Sequence, residues 1–298
     1  GDYCGAEESF KRYTELIPDQ PNPYDSYAEL LMKMGRFEDS ISKYEHALTL
    51  DPRFVPSYIG ICNNRIFLGD YHGARQALDG LEKAARNDGE LRAVHTWAAV
   101  SYLHENQINR ALEELKYRLD IATAINDRAA MANDLFFIGE ILLRSGRHDK
   151  ALERFSSAVE HIDESDATED IKEAVHRNHL FDLARIALWK GDLQTAARKA
   201  EAYRAAVADH NVLAEIQQSH ELDAMVALAK GDYKTSLFEL ANANQQDPQV
   251  MLLTARAFAA AGDLDAARQA CQMVIDFNQL SINLAYVRNT AIELLDSL

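Results

Sequence analysis

Histidine and cysteine are the side chains here best suited to hold a metal or act as a nucleophile, and the chain has ten and three of them. His176 and His179 stand three apart, which on a helix places both on one face. His220 falls on a later helical stretch. Zinc takes three or four such ligands in tetrahedral geometry. No fourth ligand and no CxxC pair stands in the sequence, so the three histidines are expected as partly exposed polar residues and no metal centre is assigned. Cys62 and Cys271 fall at inward-facing positions and read as small buried hydrophobes. Cys4 lies near a turn with nothing beside it in sequence to activate its thiol. The acidic run Asp163-Glu164-Ser165-Asp166 precedes a helix expected from about Thr168 to Lys190, where negative charge complements the helix dipole. GxSxG, GxxxxGK, GxGxxG and HExxH are all absent, so no catalytic residue and no cofactor is assigned.

The bulk numbers narrow the field further. The 298 residues are 47% hydrophobic and 26% charged, ordinary for a globular chain. Acids outnumber bases 47 to 31, a formal charge of −16. That argues against nucleic acid, whose binding rests on Lys and Arg neutralising phosphates, and against docking on an anionic membrane. No apolar run is long enough to span a bilayer. Length alone suggests two domains. The six prolines leave residues 57–247 without one, which permits helix after helix.

One short pattern recurs along the chain: Gly, then Asp or Arg, three variable residues, then Ala or Ser. It begins at Gly1, Gly35, Gly69, Gly146, Gly191, Gly231 and Gly262, and as NQINRA at Asn106. Apolar residues flank it at helical spacing, Tyr24, Tyr27, Ala28 and Leu31 before it, and Phe37, Ile41, Tyr44, Ala47 and Leu48 after it. Glycine ends a helix in the left-handed conformation, Asp starts the next, and the small residue lets the two helices approach closely. Each unit is a helical hairpin with one apolar side that must stack on neighbours. The wider spacings between Asn106 and Gly231 predict helices extended by a turn or more.

This pattern resembles the tetratricopeptide repeat family. Residues 21–54 place Tyr24, Tyr27, Ala28, Leu31, Gly35, Phe37, Ser40, Tyr44, Ala47 and Pro52 where that family has its characteristic large, small, Gly, aromatic and Pro positions. The resemblance covers essentially the whole chain. It implies an all-α fold, a right-handed α-α superhelix of about eight repeats plus a capping helix. Residues 1–298 are then one domain: 1–20 the second helix of a truncated repeat, 21–280 seven repeats, 281–298 the cap.

The resemblance also implies a concave groove lined by the first helix of each repeat. Carrying the family's groove positions over gives Asn63, Trp97, Phe136, Phe137, Glu140, Arg144, Phe181, Arg185, Trp189 and Glu221 as the candidate lining. Aromatic residues and Arg anchor interfaces while charges fix orientation, so a protein or peptide partner is expected. The family's grip on acidic chaperone tails needs Lys and Asn at the fifth and ninth groove positions. Here Asp25, Glu29 and Ile59 stand in that part of the pattern, so that role is not expected. The expected function is a non-catalytic scaffold. The alternatives are a small-molecule or metal-binding repeat protein using His176, His179 and His220, or the regulatory domain of a longer protein. An open array also has exposed ends through which copies could associate. The compartment is open: cytoplasmic, or periplasmic or secreted after removal of a targeting segment.

Overall fold

A computed structural model describes residues 3–208, 210 and 212–298. Gly1 and Asp2, which open the first copy of the repeat signature, lie outside the described residues. The described residues form sixteen α-helices and no strand. The first five are α1 (Tyr3–Leu16), α2 (Pro21–Lys33), α3 (Phe37–Leu50), α4 (Val55–Phe67) and α5 (Tyr71–Ala84). A run of longer helices follows: α6 (Asp88–His104), α7 (Ile108–Ala124), α8 (Arg128–Arg144), α9 (His148–Asp163), α10 (Glu169–Trp189), α11 (Leu193–Ala208) and α12 (Leu213–Ala229). The last are α13 (Tyr233–Asn242), α14 (Pro248–Ala261), α15 (Leu264–Ile275) and α16 (Ile282–Ser297). The extended helices lie where the repeat spacing widens, and α10 reaches 21 residues.

Each part of the signature has a visible physical role. Gly35, Gly69, Gly146, Gly191, Gly231 and Gly262 all sit at positive φ, between 75° and 86°. Asn106 takes the same left-handed place at φ 61°, tolerable because Asn is among the few residues that visit that region. After it, Asp70, Asp232 and Asp263 cap their helices by accepting from the backbone N–H three residues on. The small residue at the sixth position, Ser40, Ala74, Ala111, Ala151, Ala196, Ser236 or Ala267, is fully buried in each of these seven copies. The two serines turn that closeness into a bond: Ser40 Oγ donates to the Ala28 carbonyl at 2.7 Å and Ser236 Oγ to that of Ala224 at 3.0 Å. Pro21, Pro23, Pro56 and Pro248 occupy first-turn positions of helices, where the missing N–H costs nothing.

The helices gather into two compact units, Gly1–Ile121 with Phe277–Ala285, and Ala122–Asp276 with Tyr286–Leu298. In the first unit, Tyr27, Leu30 and Leu31 of α2 cover Ala6 and Phe10 of α1. Ala28, Tyr44 and Ile61 form the next layer. A polar thread runs through it, Asn64 Nδ2 donating to Ser40 Oγ at 3.0 Å and Ser57 Oγ donating to Asp25 Oδ1 at 2.9 Å. Gly60 must be glycine here, since a Cβ would meet the Tyr44 ring at 2.1 Å. Cys62 is fully buried, and burial pushes its thiol up to about 12, as suits a small hydrophobe.

The second unit repeats the scheme. Phe181 and Ala184 of α10 pack with Ala196, Ala200 and Tyr203 of α11 and Leu222 and Val226 of α12. The additional N-terminal turns of α10 are held to α12 by Arg177, which pairs with Glu215 at 2.9 Å, and by Gln218, which donates to Asn178 at 3.1 Å. Ala255, Ala270 and the buried Cys271 are covered by Leu294 and Leu295 of α16 and by the following Leu298. Cys4 is exposed in the first turn of α1.

Candidate functional site

Of the ten predicted groove residues, Asn63 and Trp97 belong to the first unit and the other eight to the second. In the first unit Asn63 is buried, its amide donating to the Ile59 carbonyl one turn back at 2.9 Å. It is occupied by its own helix, and the expectation that it faces a partner is corrected. Trp97 is half-buried on α6. Asp25, on the same unit's first helices, is pushed up to about 6 by burial, against the Ser57 hydroxyl that lowers it, with Glu29 adding to the rise.

In the second unit the first helices α8, α10, α12 and α14 bring their charged residues onto one another. Arg185 makes a two-pronged ion pair with Glu140, with Nη2 to Oε2 at 2.8 Å and Nη1 to Oε1 closer still. It also lies 3.5 Å from Asp182. Arg144 shares Glu140 at 3.3 Å, donates to the Gln249 side chain of α14, and lies 4.9 Å from the Tyr286 ring of α16. Burial works against Glu140, but Arg185 and Arg144 hold it down at about 2. Asp182, fully enclosed with one oxygen unbonded, is pushed well above the carboxylate range by burial. This internal pairing corrects the expectation for Arg185. Its side chain is only 8% exposed and its charge is spent inside the unit.

Phe181 is corrected in the same sense. It is 5% exposed and packs against the Tyr203 ring at 5.8 Å, so it is core. Phe136 and Phe137 are half-buried, Phe136 lying 6.0 Å from the Phe155 ring. Trp189 remains open, 47% exposed at the end of α10 beside His148. Glu221 faces a small cavity of about 50 Å³ together with Arg144, Arg185, Trp189 and two residues of α14, Gln249 and Arg256. Arg256, which is not among the ten predicted groove residues, is the notable member. Among the described residues it donates no hydrogen bond and forms no ion pair. Burial and the nearby Arg144 weaken its hold on its proton.

The three histidines are not assembled into a ligand set. His176 bonds Asp163 at 2.9 Å and His220 bonds Glu239 at 2.7 Å, while burial lowers His179. Among the described residues no group of three His, Cys, Asp or Glu side chains is placed to hold a metal. The acidic run is paired too, Asp163 with His176 and Glu164 with Arg128.

Glu221 makes a pH prediction. Burial and Asp247 push it up to about 7, against Arg185 and Arg144, which pull it down, while Glu140 adds to the rise. An acid with a raised folded-state pKa contributes stability that is full below its ordinary value of 4.5 and is lost as pH rises through about 7. Glu221→Gln is therefore expected to gain about 1–3 kcal/mol over the parent at pH 8. The gain should shrink towards pH 5. Urea unfolding at both pH values checks it, and a variant less stable at pH 8 would mean that Glu221 is held charged by its arginines.

The fold just described is an all-α helical-repeat array. The tetratricopeptide repeat family matches residues 22–54 and 224–281. The chain carries tetratricopeptide repeats in both stretches. Similar solved structures include aspartyl phosphate phosphatase F from Bacillus subtilis, 12% identical with a TM-score of 0.59 over 91% of this chain and 75% of that one. The apo form of RapI is 14% identical, with a TM-score of 0.57 over 100% of this chain and 82% of its own. A tetratricopeptide repeat protein from Parabacteroides merdae is 12% identical, with a TM-score of 0.52 over 93% and 97%. At such identities the likeness is one of fold, and the phosphatase activity in the first name is that protein's. No curated protein matches the chain. Tetratricopeptide repeats generally mediate protein–protein interactions and are typically non-catalytic scaffolds. No described helix is long and apolar enough to cross a membrane.

Proposed function

We propose that the chain is a non-catalytic scaffold that binds a protein or peptide partner on the face presented by its first helices. The observation that carries this is the pair at the edge of the second unit's cavity, the open indole of Trp189 and the unpartnered guanidinium of Arg256. Trp and Arg are the residue types that most often anchor partners, and an exposed indole beside an unsatisfied cation offers both apolar area and directed hydrogen bonds. In the first unit Trp97 offers a similar half-buried ring. The histidine-based metal alternative has no assembled ligand set to support it among the described residues.

The test places a photoactivatable phenylalanine at Trp189, at Trp97 and, as a contrast, at Phe238, a 65% exposed ring on a second helix. The whole chain is irradiated in the cells that make it. Discrete protein adducts at Trp189 and Trp97 but not at Phe238 are expected. Adducts confined to Phe238 would move the partner to the other side of the repeats and overturn the assignment.

A further inference from the structure

Arg256 of the second unit, which has no partner among the described residues, lies in a formed cavity, and the chemistry of that cavity is selective. Arg256 is half-buried on α14, with Arg144 close enough to depress it. Around them Arg185 is committed to Glu140, and Gln249 accepts from Arg144. The remaining acid in the cavity wall is Glu221. A chain of formal charge −16 thus gathers three guanidiniums around about 50 Å³. Glu140 is held firmly ionised by its arginines, while Asp182 and Glu221 are both pushed towards their neutral forms by burial. Unpaired buried cations are costly, and a second cation nearby adds to the cost.

We propose that this cavity seats a single carboxylate, held by Arg256 and the free edge of Arg144, with its short apolar stem against Leu252 and Trp189. The size supports a group of that scale. One water needs roughly 10–15 Å³ by the same kind of measure, so the space suits a planar carboxylate with a methyl or methylene behind it. Guanidinium and carboxylate match as planar, charge-assisted partners, so the shape as well as the charge is recognised. The carboxylate could be a partner's chain terminus or an acidic side chain. It would deepen the scaffold function proposed above by naming what the partner inserts, and it also stands apart from it, because a free small carboxylate should bind.

Glu221 sets a built-in pH dependence. It faces Glu140 and Arg144 of α8, Arg185 of α10, Arg256 of α14 and Asp247, the N-cap of α14. Once ionised it competes for the same arginines, so carboxylate binding is expected to weaken as pH rises through about 7.

The experiment titrates the whole chain with sodium acetate against acetamide, its neutral isostere, at constant ionic strength. Thermal shift and the fluorescence of Trp189 report binding, in a Trp97→Phe background. Acetate is expected to give a saturable response at pH 6 and acetamide none. Arg256→Gln should weaken acetate binding about tenfold or more, the loss expected for a charge-assisted hydrogen bond. Arg12→Gln, an exposed change on α1, should leave it unaltered. Glu221→Gln should bind acetate as tightly at pH 8 as at pH 6. Equal responses to acetate and acetamide, or an acetate response untouched by Arg256→Gln, would overturn the proposal. Two capped peptides separate the sources, N-acetyl-dialanine with a free C-terminus and N-acetyl-Ala-Asp-Ala-amide with only a side-chain acid. Binding of either one that is lost in Arg256→Gln supports the site and names the source. Acetate binding without partner adducts at Trp189 would sink the scaffold assignment and leave the carboxylate seat standing. Adducts without acetate binding would do the reverse.

Discussion

Arg185→Leu is expected to lower the stability of the second unit by about 3–5 kcal/mol, the cost of stranding a buried charge. The partners left behind define the effect. Glu140, with a side chain 19% exposed, loses a two-pronged cation, and Asp182, 3% exposed, loses its nearest one. Asp182 can answer by staying protonated, since burial already favours its neutral form. Glu140 is held at about 2 by Arg185 and Arg144, so its pKa must rise once Arg185 is gone. A raised folded-state pKa removes stability as pH rises, so the variant should be weakest at pH 8 and partly recover near pH 5. Replacing both partners, Arg185→Leu with Glu140→Leu, should restore much of the loss, because an ion pair exchanged for apolar side chains is often neutral. Trp189 reports on this unit and Trp97 on the other, so urea unfolding in a Trp97→Phe background reads the transition directly. A single variant as stable as the parent at pH 8 would mean that Glu140 reaches water.

Phe181→Ala is the second large effect, about 3–5 kcal/mol, for the different reason that it empties a packed core. Phe181 is 5% exposed between Tyr203, Ala196 and Leu222, and its ring also lies 5.2 Å from the Arg185 guanidinium. Truncation leaves a void that helices locked by fully buried Ala184 and Ala196 cannot close. Trp189→Ala, further along the same helix, should cost less than about 1 kcal/mol, because nearly half of that side chain is already in water. Thermal unfolding followed by circular dichroism compares the two. Equal losses would mean that Trp189 is a structural ring and would weaken its case as a partner anchor. The contrast also constrains experiments on the face itself. Any variant carrying Phe181→Ala confounds lost binding with lost folding, whereas Trp189 and Arg256 can be changed with the core intact.

Much of this fold is legible in residue type and spacing. The six signature glycines from Gly35 to Gly262 and Asn106 mark where helices end, and all are found in the left-handed conformation. The small residue five positions later marks where paired helices touch. The aromatic residue that fills the space beyond is readable as well, since Tyr44 against Gly60 and Phe155 against Gly139 are pairs that leave no room for a Cβ. These features are local. Each depends on a steric or conformational limit acting within one helical hairpin or between it and the next, so the residue type alone carries the information.

The candidate face was legible only as a set of positions. Assigning Arg185, Phe181 and Asn63 to a groove required knowing how far each side chain is from everything else, and that is not a property of one repeat. Arg144 meets Gln249 from 105 residues away, and Arg185 meets Glu140 from 45. Such meetings depend on the small rotation between successive hairpins, accumulated over several of them. That rotation is set by the sum of many packing contacts rather than by any recurring residue. The sequence by itself therefore determined the repeat, its helices and the side they share. Only the tertiary structure decided which charges on that side neutralise each other, and that Arg256 is left facing a cavity without a partner.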